Sequence, residues 1–138
     1  MSDEIVMYGS PTCPMVPPVR GMLRRAQAPF QYVDISRDGE GRARVLEINN
    51  GYASVPTLEF PDGSTLTEPS TEALNRKLKK LGYQVPPPTM WQSLTENPFY
   101  SLLGTAALLF GLIDGNGVFI AIGVGILLLL LLKGIFSK

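Results

Sequence analysis

The sequence contains no histidine and a single cysteine, Cys13, in 138 residues. Without histidine it lacks the general base of a Ser-His-Asp triad and the usual ligands of a protein zinc site, and one cysteine cannot form an internal disulfide. Twelve Lys and Arg balance twelve Asp and Glu. The chain therefore has no basic field for nucleic acid, and we expect neither a metal site nor a nucleic-acid partner.

Apolar residues are unevenly distributed along the chain. Of the 38 residues from Phe99 to Phe136, 26 are apolar, whereas the other 100 positions hold 36. The first density is typical of a membrane segment and the second of a small water-soluble globule. We therefore expect the C-terminal third to have the lipid bilayer as its partner.

The apolar third is divided by the turn sequence at 114–117. One helix through both halves would be about 50 Å long at 1.5 Å per residue and would bury Asp114 in hydrocarbon. The pattern therefore predicts a hairpin of two transmembrane helices, at about 98–113 and 118–136. The alternative, a hairpin buried in a soluble core, conflicts with the leucines at 127–132, which have no polar face.

The charges flanking the two predicted spans set their orientation. Two spans return the chain to the side it left, and only Asp114 lies in the opposite turn. The positive-inside rule then predicts a cytoplasmic (inner) membrane protein with both termini in the cytoplasm. The acidic start, Met1-Ser2-Asp3-Glu4, predicts no signal peptide. The cations on the predicted cytoplasmic side are Arg76, Lys77, Lys79, Lys80, Lys133 and Lys138.

Residues 1–83 alternate short strand-like and helix-like segments, and residues 84–97 form a proline-rich linker and interfacial segment. The nearly all-apolar first strand is typical of one buried on both faces of a sheet. The order of segments predicts a small α/β sandwich with one mixed sheet. The predicted strands are 5–8, 30–35, 57–60 and 64–66, and the predicted helices are 19–26, about 36–48 and 70–81.

Cys13 follows the first strand, at the predicted entrance to the first helix. A thiolate placed there can be stabilised by the helix dipole and by free backbone N–H groups. Some forty residues later, Val55-Pro56-Thr57 leads into the third strand. Proline at such a position often marks a cis bond that holds backbone polar groups open to a ligand.

The cysteine turn and the Val-Pro-Thr entry to a hairpin together resemble the glutaredoxin family of the thioredoxin fold. The similarity spans about Glu4 to Leu81 and is closest in the segments at 50–57 and 60–67, NGYASVPT and FPDGSTLT. These segments look like those of mycoredoxin-type and other bacterial glutaredoxin-like proteins. The resemblance implies a mixed four-stranded sheet with flanking helices.

The resemblance also implies a site and a reaction. The family's Cys-x-x-Cys motif is here Cys13-Pro14-Met15-Val16, so any disulfide at Cys13 must be resolved by an external thiol. Only a monothiol cycle remains, with a disulfide-bearing protein or mixed disulfide as substrate, a low-molecular-weight thiol as co-substrate and no bound cofactor. By position, Cys13 is the nucleophile, and the substrate-binding residues are Thr12, Pro14, Val55, Pro56 and Thr57.

Three features depart from the family pattern. The lysine that many members carry before the cysteine is absent from Ser10-Pro11-Thr12, and the Gly-Gly-x-Asp that grips glutathione is replaced at 67–70 by Thr-Glu-Pro-Ser. Both changes weaken the expectation of glutathione binding. Pro17 and Pro18 predict that the first helix begins near Pro17, leaving Cys13 on a loop.

Three interpretations of Cys13 stay open: a redox-active monothiol, an inert thiol on a fold reused for binding, and iron–sulfur ligation shared between two chains. Cluster binding is disfavoured because the family's cluster-binding members use Cys-Gly-Phe-Ser. An inert thiol corresponds to the second function considered, an accessory subunit of a larger electron-transfer type membrane complex.

Small residues recur along each predicted span. Such stripes let membrane helices approach closely. They either close the hairpin on itself or leave one stripe for a partner subunit of a membrane complex. The stripes are Gly104, Ala107 and Gly111 on the first span, and Gly117, Ala121 and Gly125 on the second.

Overall fold

The computed structural model describes residues 4–136 and divides into two compact units, residues 1–86 and 87–138. We refer to them as the N-terminal and C-terminal units. Three residues used in the sequence analysis, Met1 to Asp3, lie outside the described residues, as do Lys138 and the side chain of Lys133.

In its described residues, the N-terminal unit is an α/β domain built on one mixed four-stranded sheet of order β2-β1-β3-β4. Strands β1 and β2 run parallel, and β3 is antiparallel to both β1 and β4. The predicted fold class and order of elements are confirmed. The elements are β1 (Ile5–Gly9), α1 (Val16–Arg25), β2 (Phe30–Asp34), α2 (Gly39–Ile48), β3 (Thr57–Glu59), β4 (Thr65–Thr67) and α3 (Thr71–Lys80).

Both faces of the sheet are covered, which explains the all-apolar sequence of β1. Side chains alternate along a strand, so Ile5 and Met7 join the larger core cluster, to which α1 and α3 also contribute. Val6 and Tyr8 face the smaller cluster, which contains Val45 of α2. The central strand therefore carries apolar residues at successive positions instead of alternate ones.

Helix α2 begins later than the sequence analysis predicts. Asp38 is its N-cap, and the carboxylate accepts a hydrogen bond from the Gly41 N–H at 2.8 Å. Ser36, the predicted start, instead donates from its backbone and hydroxyl to Asp34 in a turn. Ser36 and Asp38 are both good N-cap residues. Because β2 ends at Asp34, Ser36 lies in the turn that follows the strand, and the helix starts after Asp38.

The described residues of the C-terminal unit form three helices: α4 (Met90–Glu96), α5 (Pro98–Asp114) and α6 (Gly117–Phe136). The limits of α5 and α6 lie within one residue of the predicted ones, whereas α4 was predicted as part of a linker. A capping box starts α4, because the Thr89 hydroxyl accepts from the Gln92 N–H while the Gln92 side chain accepts from the Thr89 N–H.

Helices α5 and α6 pack as a hairpin through glycines, although not all are the predicted ones. A Cβ at Gly104 or Gly111 would press against α6, so these two glycines of the first predicted stripe lie in the contact that closes the hairpin. On α6, however, the close contact is at Gly123, where a Cβ would lie 2.5 Å from the Leu108 nitrogen. A Cβ at Gly117 or Gly125 would meet nothing within 4 Å. The second predicted stripe therefore does not close the hairpin.

The outer surface of the hairpin is apolar. Leu102 and Leu129 are 71% and 70% exposed, and Ile113 is 85% exposed. No helix in the described part of the chain has the length and hydropathy required to cross a bilayer, so the helices as described do not support the predicted pair of spans.

Candidate active site

Cys13 lies in the turn between β1 and α1, where the backbone is held by two local hydrogen bonds. The Cys13 N–H donates to the Ser10 carbonyl at 3.1 Å, and the Cys13 carbonyl accepts from the Val16 N–H at 3.2 Å. Its side chain is half-buried, and its S–H donates to the Val55 carbonyl oxygen at 3.4 Å. The structure therefore brings together the predicted nucleophile and the predicted substrate-aligning loop, 42 residues apart.

The N-terminus of α1 does not support the thiol through free donors as first expected. The helix begins at Val16, so Cys13 precedes its N-cap, Met15. The Val16 N–H is already bonded to Cys13, and Pro17 and Pro18 carry no N–H. Proline is tolerated in the first helical turn because those donors have no partner within the helix. Cys13 thus lies on a loop, in agreement with the effect predicted for the two prolines.

The loop opposite Cys13 contains a cis peptide bond between Val55 and Pro56. Val55 is half-buried and Pro56 is buried, and the Pro56 carbonyl accepts from the Glu68 N–H at 2.8 Å. Thr57 is 0% exposed, and its hydroxyl donates to the Ser54 carbonyl at 2.8 Å. Thr57, a predicted substrate-binding residue, is therefore enclosed by the fold in this structure.

The other predicted substrate-binding residues, Thr12 and Pro14, are exposed on either side of Cys13. Thr12 shares a hydrogen bond with the Ser10 hydroxyl at 3.0 Å. Within residues 4–86, the exposed large apolar side chains are Met15 and Tyr52, which belong to the cysteine turn and to the loop before Val55. The sequence analysis did not identify these two side chains as parts of the site.

Tyr32 and Arg20 form a polar contact that the sequence analysis also missed. The Arg20 guanidinium stacks 4.0 Å from the centroid of the Tyr32 ring, and neither the Tyr32 hydroxyl nor the Arg20 Nε has a hydrogen-bond partner among the described residues. Burial raises the pKa of Tyr32; the Arg20 guanidinium opposes this rise, and the negative charge of Asp34 adds to it. A Cβ at Gly9 would lie 2.7 Å from the Tyr32 ring, so this close packing requires glycine.

The segment at 67–70 occupies the position of the family's glutathione-binding sequence, but its residues make different contacts. Glu68 has a φ of 46°, a left-handed conformation that favours glycine, and its side chain is exposed. The Ser70 hydroxyl caps α3 by accepting from the Ala73 N–H at 3.2 Å. A carboxylate is thus present at Glu68, and the hydroxyl of Ser70 is already used by the helix.

The comparisons with known proteins agree with this arrangement. A model of the glutaredoxin family matches residues 5–64. Proteins from two strains of Mycobacterium tuberculosis, each named "Putative glutaredoxin", are 31% identical over 81 residues, which is 96% of each relative and 59% of this chain. The chain belongs to the glutaredoxin family. The glutaredoxin region lies within the N-terminal unit, as far as the family model reaches.

A solved structure supports the same fold. The crystal structure of a point mutant of the thioredoxin-like protein BC3987 is 27% identical in sequence and superimposes with a TM-score of 0.51. The similarity covers 97% of that protein and 56% of this glutaredoxin. A thioredoxin-like domain therefore accounts for little more than half of the chain.

Proposed function

We propose that this glutaredoxin is membrane-anchored and catalyses monothiol thiol–disulfide exchange at the cytoplasmic membrane surface. The observation that carries the chemical part is the position of Cys13, whose half-buried sulfur lies 3.4 Å from the Val55 carbonyl oxygen. A sulfur held next to the loop backbone is suited to a disulfide whose peptide portion lies along that backbone.

The proposed cycle has two exchanges. In the first, the Cys13 thiolate attacks one sulfur of a mixed disulfide, forming a new disulfide at Cys13 and releasing the protein thiolate, which takes up a proton. In the second, the thiolate of an external low-molecular-weight thiol attacks that disulfide and releases Cys13. The external thiol supplies the electrons and leaves in a low-molecular-weight disulfide. No second protein thiol is needed, which fits a chain with one cysteine.

Turnover of a peptide mixed disulfide in the presence of excess external thiol tests this chemistry. We expect turnover by the full-length protein in detergent, loss of all of it in Cys13→Ser, and an adduct at Cys13 visible by mass spectrometry when the external thiol is withheld. Thr65→Ser, a change of an exposed side chain on β4, serves as the folded control. Equal turnover by Cys13→Ser and the wild type would exclude the proposed reaction.

The exposed apolar side chains of the hairpin support the proposed membrane anchor. Single exposed apolar residues are normal on soluble proteins, but a continuous apolar surface usually meets a partner or lipid. No Asp, Glu, Lys or Arg lies between Pro98 and Ile113 or between Gly117 and Leu132. We propose that lipid covers this surface. A protein–protein interface usually has a polar rim, whereas a helical surface without charges is suited to the hydrocarbon of a bilayer.

The single native cysteine makes the anchor directly testable. A membrane-impermeant maleimide can label Cys13 in the wild type, or the inter-helix turn in a Cys13→Ser, Asp114→Cys variant. In intact cells, we expect labelling of the turn but not of Cys13 until the cells are permeabilised. Protection of both positions would indicate that the hairpin enters the bilayer without crossing it. Release of the protein by alkaline carbonate would exclude the anchor.

A second candidate function is that of a non-catalytic accessory subunit of a larger membrane complex. The observation that favours it is the open stripe of Gly117, Ala121 and Gly125, where added Cβ atoms at both glycines meet nothing. Purification from native membranes in mild detergent tests this role. Co-purification of a defined complex that is lost in Ala121→Leu, with Cys13→Ser showing no defect, would favour the subunit over the enzyme.

A further inference from the structure

Three polar side chains join under the loop that faces Cys13, and we call them the Asn49 network: Asn49, Thr57 and Thr67. Asn49 is the C-cap of α2, Thr57 opens β3, and Thr67 ends β4. The Asn49 Nδ2 donates to the Thr57 hydroxyl at 3.1 Å, and its Oδ1 accepts from the Thr67 hydroxyl at 2.5 Å. Both ends of the amide are therefore bonded, and the network links three elements.

The network also holds the backbone directly before Val55. The Ser54 carbonyl accepts from the Thr57 hydroxyl at 2.8 Å and from the Asn49 Nδ2 at 3.4 Å. The next carbonyl along the chain is that of Val55, which accepts from the Cys13 S–H. Two successive carbonyls are thus fixed, one by the network and one at the thiol.

We propose that Asn49 is a positioning residue for Cys13. By fixing the Ser54 carbonyl through Thr57, and by tying itself to β4 through Thr67, Asn49 sets the direction of the Val55 carbonyl and of the backbone edge that meets a peptide disulfide. This inference rests on the proposed function in one respect, that the disulfide approaches Cys13 along this loop. The Asn49 side chain bonds Ser54, Thr57 and Thr67, and it acts on the sulfur only through the loop that these residues hold.

The two threonines of β4 provide a matched test. Thr65 and Thr67 are two residues apart, so they lie on the same face of the strand, and both are exposed. Thr67→Val removes the hydroxyl that bonds Asn49, whereas Thr65→Val makes the same change where the structure records no such bond. Thr67→Ser keeps the hydroxyl and serves as the rescue. Asn49→Ala removes the network at its centre.

The measured quantity is a ratio of two single-turnover rates for Cys13 in the full-length protein. One rate is for a peptide mixed disulfide, which needs the loop, and the other is for iodoacetamide, a small reagent that does not. We expect Asn49→Ala and Thr67→Val to lower the ratio about five- to tenfold, the effect of about one lost hydrogen bond. We expect Thr65→Val and Thr67→Ser to stay within about twofold of the wild type. In steady state, the loss should fall on KM more than on kcat.

The single-turnover ratio separates this proposal from the proposed function. A wild type that forms the mixed disulfide but fails to turn over with external thiol would refute the cycle and leave the ratio measurable. An unchanged ratio in folded Asn49→Ala and Thr67→Val, or an equal loss in Thr65→Val, would overturn the positioning role even if turnover is normal. If Asn49→Ala unfolds, as judged by circular dichroism, the comparison of Thr67→Val with Thr67→Ser decides.

Discussion

The two units of this glutaredoxin place their large apolar side chains in opposite ways. In the N-terminal unit, Leu58, Leu74 and Leu78 are 0% exposed, and the sheet carries a core on each face. In the C-terminal unit, Leu112 is 60% exposed, although its residue type is the same. The leucines of the N-terminal unit therefore form its core, whereas the exposed leucines of the C-terminal unit favour apolar surroundings outside the chain.

The difference shows that hydrophobicity alone does not indicate what an apolar residue does. In the N-terminal unit, apolar residues recur with the period of a strand or a helix, which assigns each one a face. In the hairpin, the apolar residues surround the helices, and the contact between α5 and α6 falls on small residues such as Gly104 and Gly123. In the hairpin, glycines thus lie at the contact between the two helices, and leucines lie on the outer surface.

The largest expected effect is on core leucines. Leu58→Ala in β3 should lower the free energy of unfolding of the N-terminal unit by about 2–5 kcal/mol, because it removes a fully buried side chain and leaves a cavity. Leu112→Ala should change the free energy of unfolding of the C-terminal unit by less than about 0.5 kcal/mol, because the side chain is exposed. Urea unfolding of the full-length protein in detergent, followed by circular dichroism, measures both. Equal losses would mean that Leu112 is buried by something beyond the chain itself.

A smaller effect is expected inside the hairpin, where two glycines of α6 form a matched pair. Gly123→Ala should destabilise the packing of α5 on α6 by about 1–3 kcal/mol, because the new Cβ would meet the Leu108 and Gly104 backbone. Gly125→Ala has open space and should be neutral or slightly stabilising, since alanine favours a helix. Spin labels placed on α5 and α6 test this pair. The distance between the labels is measured in both variants as the detergent concentration is raised.

The outcome also bears on the second candidate function. If Gly125→Ala leaves the isolated hairpin unchanged but weakens association with a membrane complex, the open stripe contacts a partner. If Gly123→Ala is as harmless as Gly125→Ala, the hairpin does not pack as described, and the comparison between its glycines and leucines fails.

The smallest effect is expected at the ion pair that links α2 to β3. The Arg44 guanidinium bonds both oxygens of Glu59, at 3.2 and 2.6 Å, and the Tyr8 hydroxyl donates to the same carboxylate at 3.3 Å. Glu59→Gln should lower the free energy of unfolding by about 1 kcal/mol at pH 7. Glu47→Gln, which removes the more exposed partner of Arg44, should cost less than about 0.5 kcal/mol.

The pH dependence of this effect has a definite sign. Hydrogen bonds from Arg44 hold the pKa of Glu59 below its usual value, although burial opposes them. A carboxylate with a lowered pKa stabilises the fold above its unfolded pKa, and this stabilisation is lost as the pH falls through the folded pKa. The difference between Glu59→Gln and the wild type should therefore shrink in acid. A difference in urea midpoint that stays constant from pH 7 to pH 2 would contradict this origin.

A second carboxylate extends the acid transition to lower pH. Hydrogen bonds from Lys77 and Ser64 lower the pKa of Asp62 to about 2 from 3.8. Its stabilising contribution is present above about pH 3.8 and is lost as the pH falls through the folded pKa of about 2.

Much of the fold was predictable because it follows from local patterns. The order of strands and helices, the two-sided burial of β1 and the hairpin limits all come from periodicity, glycine and proline. The position of Cys13 beside Val55 followed from the resemblance to the family, since no local signal joins residues 42 apart.

The parts that escaped prediction depend on long-range contacts. Asp38 caps α2 instead of Ser36 because the chain must first leave β2. Gly123 contacts α5 because the helices settle on one of several possible glycine faces. Asn49 follows the predicted end of α2 at residue 48 and caps that helix, but its side chain also bonds two strands that lie later in the chain. A local sequence pattern predicts the end of the helix, but it does not predict side-chain hydrogen bonds to strands that come later in the chain.

The hydrogen bond from the Cys13 S–H to the Val55 oxygen makes the state of the sulfur visible from the backbone. A sulfur in a disulfide has no hydrogen to donate, so the Val55 oxygen loses that partner whenever Cys13 is occupied. A carbon-13 label at the Val55 carbonyl would then give one resonance for the free thiol and another for the adduct. The Val55 carbonyl thus reports the state of the sulfur through an isotope label alone, with no chemical group attached to the site.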